Sequence, residues 1–214
     1  MNIARTLLLV LGLGSAALAL AATPEELIRP IQDQWADIKY RQPEKQQAEQ
    51  YNKLAVQARK LAEGNPDMAE VLIWEGIVLS SEAGAKGGLG ALGLAKEARQ
   101  RLDDALKIND RALSGSAYTS LATLYAKVPG WPIGFGDKKK AEEYFRKALT
   151  LNPNGIDPNY FYGEYLVDRD RVAEARPYLE AALKAPPRPG RELADSGRRQ
   201  EVQALLAKLN KDAK

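Results

Sequence analysis

The sequence contains no histidine and no cysteine. The first absence removes the imidazole of Ser-His-Asp machinery and the commonest zinc ligand. The second removes thiol nucleophiles, disulfides and the lipid-bearing cysteine of a lipoprotein. The acids that remain stand as neighbours rather than as converging pairs. Asp103-Asp104 and Glu142-Glu143 are adjacent on helical stretches, where successive side chains diverge by about 100° and do not meet on one substrate. Asp168-Arg169-Asp170 falls in a turn with no third ligand in view for a cation. The expectation is a protein that is not an enzyme and uses no cofactor and no metal.

An excess of one charge is missing as well. Lys and Arg number 31 against 28 Asp and Glu, a formal balance of +3. The charges are spread along the chain rather than gathered in a block, so nucleic acid is not an expected partner. No alternating strand pattern stands out, and the reading is all-α. Nor is there an apolar run of the roughly 20 residues that a membrane span takes. Leu7 to Leu20 is shorter, follows a positive Met1–Arg5 segment and ends in Ala19-Leu20-Ala21. That is the layout of a secretory signal peptide over residues 1–22. The expectation is cleavage, a periplasmic or secreted protein, and no stable membrane anchor afterwards. Arg5 is the one charged residue of the leader, so the balance moves from +3 to +2. A cysteine-free chain suits an oxidising compartment.

What is present is a spacing that occurs three times. Ala98, Leu102, Ala105, Leu106 and Ile108 form one set; Ala141, Phe145, Ala148, Leu149, Leu151 and Pro153 a second; Ala175, Leu179, Ala182, Leu183, Ala185 and Pro187 a third. Each reads small, large at +4, small at +7, large at +8, then a break. Before each lies a helical stretch with a small residue among large ones: Gly76 between Leu72 and Leu79, Ala122 between Tyr118 and Tyr125, Gly163 between Tyr162 and Leu166. Over roughly Asp67 to Pro187 this pattern resembles the tetratricopeptide repeat (TPR) superfamily. There, small residues let helix A approach helix B and large ones fill the seam. The fold expected is a helical-hairpin, TPR-like superhelical array with a C-terminal capping helix, doing the work of a protein–protein interaction module or scaffold.

The rest of the chain is organised around that array. Thr23-Pro24-Glu25-Glu26 reads as a capping box with Pro at the first helical position. Pro30 is expected to kink or split the helix it opens. Residues 23–66 then form a degenerate leading helical pair. Residues 67–187 hold three repeats interrupted by inserts at 80–94 and 128–137, and 188–214 are a linker and capping helix. That last helix is expected to be capped by Asp195 or Ser196, with Val202, Leu205, Leu206 and Leu209 on its buried stripe. Gly88-Leu89-Gly90-Ala91-Leu92-Gly93 matches a dinucleotide fingerprint in letters alone, because no strand precedes it and no βαβ unit surrounds it. It reads instead as a turn of small residues.

Val128 to Asp137 holds Trp131, Ile133 and Phe135 among prolines and glycines. Trp131 and Phe135 are candidate anchors for a partner, since aromatics carry much interface energy; the alternative is that they fill a gap between repeats. This loop, with Asn152 to Tyr160, resembles exported bacterial TPR proteins similar to the T component of TRAP-type transporter systems. That family typically carries a lipoprotein cysteine, which this chain lacks. The likeness implies an alternative role, an accessory component of solute uptake that binds a small ligand or a solute-binding protein. The TPR resemblance also implies a concave groove lined by the first helix of each hairpin. Carried over by spacing from Gly76, Ala122 and Gly163, it would include Ile73, Ile77, Thr119, Thr123, Lys127, Tyr160, Glu164 and Asp168. Such a row suits an extended peptide or a helix from a protein partner.

Overall fold

The computed structural model describes residues 22–212, apart from the side chains of Leu89 and Asp212. The signal peptide expected over 1–22 therefore lies, but for Ala22, outside the described residues. Within them nine α-helices follow one another without a strand: α1 Pro24–Arg41, α2 Glu44–Gly64, α3 Ala69–Lys86, α4 Gly88–Ile108, α5 Ser116–Lys127, α6 Lys138–Leu151, α7 Ile156–Val167, α8 Val172–Lys184 and α9 Glu192–Asp212. A 3₁₀ turn, Ala112–Ser114, separates α4 from α5.

Local chemistry sets several of these boundaries. Thr23 Oγ1 accepts from the Glu26 N–H at 3.2 Å, and the Glu26 carboxylate accepts from the Thr23 N–H at 2.8 Å, closing the expected capping box. The break expected at Pro30 does not occur, and α1 runs through it as one helix. Proline leaves the carbonyl of Glu26 without its helical donor, but Glu26 and Pro30 lie on the solvent-exposed face of α1, where the loss costs less than it would in the core. At the other end, α9 starts at Glu192, ahead of the expected caps. The Asp195 carboxylate is engaged elsewhere, accepting from the backbone N–H and Nε of Arg188 at 2.8 and 2.7 Å.

Successive helices pair as antiparallel hairpins: α1 with α2, α3 with α4, α5 with α6, α7 with α8. The nine small–large–small positions form the seams. Ala98, Leu102 and Ala105, Ala141, Phe145 and Ala148, and Ala175, Leu179 and Ala182 are each no more than 1% exposed. Opposite them, a Cβ added at Gly76 would lie 2.6 Å from Leu102, and one at Gly163 2.7 Å from Leu179. The same backbone-to-leucine seat thus recurs two repeats apart, burying apolar surface continuously through the stack.

The insert expected at 80–94 is not a loop. The first full repeat absorbs those residues as longer helices, 18 in α3 and 21 in α4, against 12 and 14 in the next hairpin. The joint is Gly87 at φ +62°, a left-handed conformation that glycine adopts without strain. Alanine and leucine between the glycines of this stretch keep helical hydrogen bonding favourable, so the glycines lower stability without breaking the helix.

Candidate functional site

The first helices of the hairpins, α1, α3, α5 and α7, are the elements expected to line a groove. The structure sorts the eight candidates on or just past them into three groups. Ile73, Thr119 and Tyr160 are buried, at 0, 6 and 7% exposure, which corrects their assignment to an open surface. Ile77 is half-buried against the core, and Thr123 turns its hydroxyl back onto the Thr119 carbonyl at 3.0 Å. Lys127, Glu164 and Asp168 form one cluster across α5 and the end of α7. Lys127 Nζ lies 2.7 Å from Asp168 and 3.2 Å from Glu164, all three partly solvent-exposed. These carboxylates hold the Lys127 ammonium above its ordinary value although partial burial works against them.

What closes part of this face is the chain's own C-terminal segment. The linker and α9 touch α1, α3 and α7 in turn. Arg29 on α1 donates to the Gly190 carbonyl at 2.7 Å. The Arg191 guanidinium lies 4.9 Å above the Trp74 ring of α3. Arg198 sits over Tyr160 and Phe161 of α7, 4.7 and 4.4 Å from their ring centres, and is itself only 5% exposed. Asp157, near the start of α7, receives Arg198 at 2.9 Å and Arg188 at 2.7 Å. Burial alone would push the Asp157 carboxyl up; the two guanidiniums outweigh it and hold it well below the usual carboxylate range. Glu201 extends the cluster to Lys39 at 3.2 Å and to the Tyr40 hydroxyl at 3.3 Å. Arg191 has no carboxylate at ion-pair distance among the described residues; burial, with Arg188 nearby, lowers it to about 10.

None of these contacts stands out in the sequence. Arg191, the residue before α9, and Arg198 within it are seven apart, about two helical turns. That spacing is the available signal, and the stronger stripe of Val202 and Leu209 hides it. The stripe does cover the last hairpin: Val202 and Leu209 share an apolar cluster with Ile156, Leu179 and Ala182. The helix caps the array and also reaches back to its first helix.

The two aromatic candidates of the 128–137 insert separate as well. Phe135 folds inward, edge-on to Tyr125 with ring centres 5.5 Å apart and under the Arg99 guanidinium at 4.5 Å. It fills a gap and is not an anchor. Trp131 is 90% exposed and Ile133 62%. Elsewhere, an open cleft of about 370 Å³ lies between α1 and α2, lined by polar groups that include Asp33, Asp37, Gln50, Lys53 and Gln57. Among the described residues no group of carboxylates is placed to hold a metal ion, and no helix is long and apolar enough to cross a membrane.

Comparison with known proteins supports the repeat reading. A family model described as tetratricopeptide repeat matches residues 133–154, which span the end of the loop and all of α6. A solved structure, titled as a functional characterisation of Pseudomonas aeruginosa pilF, is 19% identical, spans 84% of this chain and 92% of that one, and has a TM-score of 0.35. No curated protein matches the chain, so the likeness to the T component rests on its loop residues alone. The tetratricopeptide repeat match over α6 falls on one of three successive hairpins built on the same buried small–large–small seam, so the chain is similar to that family over this hairpin.

Proposed function

We propose that this protein is an exported protein-interaction module with no catalytic activity of its own. One observation carries the binding role. The C-terminal segment covers the α1–α3–α7 part of the first-helix face, while the Lys127–Glu164–Asp168 cluster stays accessible, with side chains 48, 27 and 52% exposed. A cation between two carboxylates, beside the partly exposed Thr123, offers donors and acceptors to a peptide crossing α5 and α7. Tetratricopeptide repeats as a class mediate protein–protein contacts, which supports a protein or peptide as the ligand. Export is supported by the leader layout of residues 1–22, and the non-catalytic reading by the absence of histidine and cysteine.

The test is capture of partners from cell extract by the wild type and by a Lys127→Glu/Asp168→Lys double variant. Tyr160 is avoided because it is buried and supports α9. Loss of a specific partner with unchanged thermal unfolding supports the reading; equal recovery by both proteins overturns it. Fractionation tests the export half: a chain shortened by about the length of the leader, found outside the cytoplasm, is expected. An intact cytoplasmic chain is the contrary result.

A further inference from the structure

The 128–137 loop is a braced element that carries its apolar residues outward. Its base is fixed by Asp137 N–H on the Tyr125 carbonyl at 3.0 Å and Gly136 N–H on the Pro129 carbonyl at 2.9 Å. Its turn is closed by Gly134 N–H on the Gly130 carbonyl at 3.1 Å. Side chains at Gly134 and Gly136 would collide with the Val128–Pro129 segment, so the two limbs lie backbone to backbone. Phe135 pins the loop inward, while Pro129, Gly130, Trp131, Pro132 and Ile133 all face solvent. Trp35 and Trp74 are buried at 8 and 4% exposure; Trp131 alone of the three tryptophans is held out in water.

The charges beside this tip are mostly positive. Residues 127–140 contain four lysines and one acid, Asp137. The Asp137 carboxylate is turned onto the start of α6, accepting from the N–H groups of Lys139 and Lys140 at 2.9 and 3.1 Å. Lys127 is neutralised by Glu164 and Asp168, and Lys140 lies over the Tyr125 ring at 4.6 Å. Lys138 and Lys139 are exposed, and neither has a carboxylate at ion-pair distance among the described residues.

The size of the patch decides between occupants. A tryptophan buries roughly 200 Å², and one isoleucine beside it leaves the tip far below the roughly 800 Å² per partner of a stable protein interface. A small aromatic–aliphatic knob followed along the chain by two exposed lysines, Lys138 and Lys139, unpaired among the described residues, fits a different surface. Indole rings settle at the boundary between headgroups and acyl chains, and lysines at that depth meet anionic headgroups. We propose that this loop docks the protein on an anionic lipid surface, seating Trp131 and Ile133 among the headgroups with Lys138 and Lys139 on their phosphates. This docking is independent of the groove and its partner.

Trp131 is its own reporter. The full chain is mixed with vesicles of phosphatidylglycerol or of phosphatidylcholine at low salt, and tryptophan emission and acrylamide quenching are read. The apolar leader contains no tryptophan, so its own insertion leaves this signal unchanged. Phosphatidylglycerol is expected to shift the emission to the blue and protect it from acrylamide, and phosphatidylcholine to do neither. A Lys138→Glu/Lys139→Glu variant is expected to partition at least about 30-fold more weakly. The proposal is overturned if the protein fails to bind the anionic vesicles. It is equally overturned if the protein sediments with them while Trp131 stays quenchable, or if neutral vesicles act equally well. A blue shift that grows with protein concentration in the absence of lipid assigns the tip to a second copy of the chain and also overturns it.

Discussion

Gly197 of α9 packs against the ring of Tyr40 on α1, so closely that a Cβ on Gly197 would collide with the ring carbons. The last helix of the chain thereby rests on the first. At an open helical site Gly→Ala is stabilising by about 1 kcal/mol. Here the ring must move, and Gly197→Ala is expected to lose about 1–2 kcal/mol instead. Urea unfolding gives the sign, and hydrogen exchange along α9 shows where the protection goes. A stabilised Gly197→Ala protein would mean that α9 does not rest on α1 in solution.

Asp157 is the second tie between α9 and the array. Its substitution by Asn leaves Arg198, 5% exposed, with Glu201 alone as carboxylate partner. Breaking a buried pair from one side costs about 3–5 kcal/mol. The Asp157 side chain is 29% exposed, so about 2 kcal/mol is expected. The pH dependence has a fixed sign. A carboxyl held below its ordinary 3.8 contributes stability above that pH and loses it as pH falls further. Between pH 5 and 2 the wild type should therefore lose more stability than Asp157→Asn, as followed by circular dichroism.

Glu75 behaves in the opposite way. It is 2% exposed on α3; one carboxylate oxygen lies 3.3 Å from Arg101 and the other has no hydrogen-bond partner. Burial raises its pKa against the pull of Arg101. The uncharged form is the one the fold prefers, so its stability contribution is full below 4.5 and is lost as pH rises through the raised value. Glu75→Gln cannot ionise. It should match the wild type near pH 4 and exceed it near pH 7 in denaturant midpoint, and equal midpoints at both pH values would refute the assignment.

The array was legible because its seam is periodic. Small residues at fixed intervals have one physical use, close helix approach, and all six of those in the second-helix seams are buried. The groove was less legible. Spacing places Ile73 and Tyr160 on the right face of α3 and α7, but their exposure depends on what lies over them. Over Tyr160 lies Arg198 of α9, held by Asp157 and by ring faces that leave no hydrophobic period, and Ile73 is enclosed within the core itself. The 80–94 stretch misled for the reverse reason: its glycines signal turns, yet only the adjacent Gly87 and Gly88 take the left-handed backbone that makes one. Trp131 and Phe135 are alike in composition and context, and only the backbone path of the loop separates them.

That separation is testable with two truncations four residues apart. Phe135 is half-buried against Tyr125 and beneath Arg99, so Phe135→Ala should cost about 1–2 kcal/mol, less than a fully buried phenylalanine, and loosen the base of the loop. Trp131 is 90% exposed and packs on nothing that its removal would uncover. Trp131→Ala should leave unfolding within about 0.5 kcal/mol of wild type. Thermal denaturation of both variants decides it. If Trp131→Ala unfolded at markedly lower temperature, the ring would be part of the packing and not an outward anchor, and every binding role assigned to the tip would go with it.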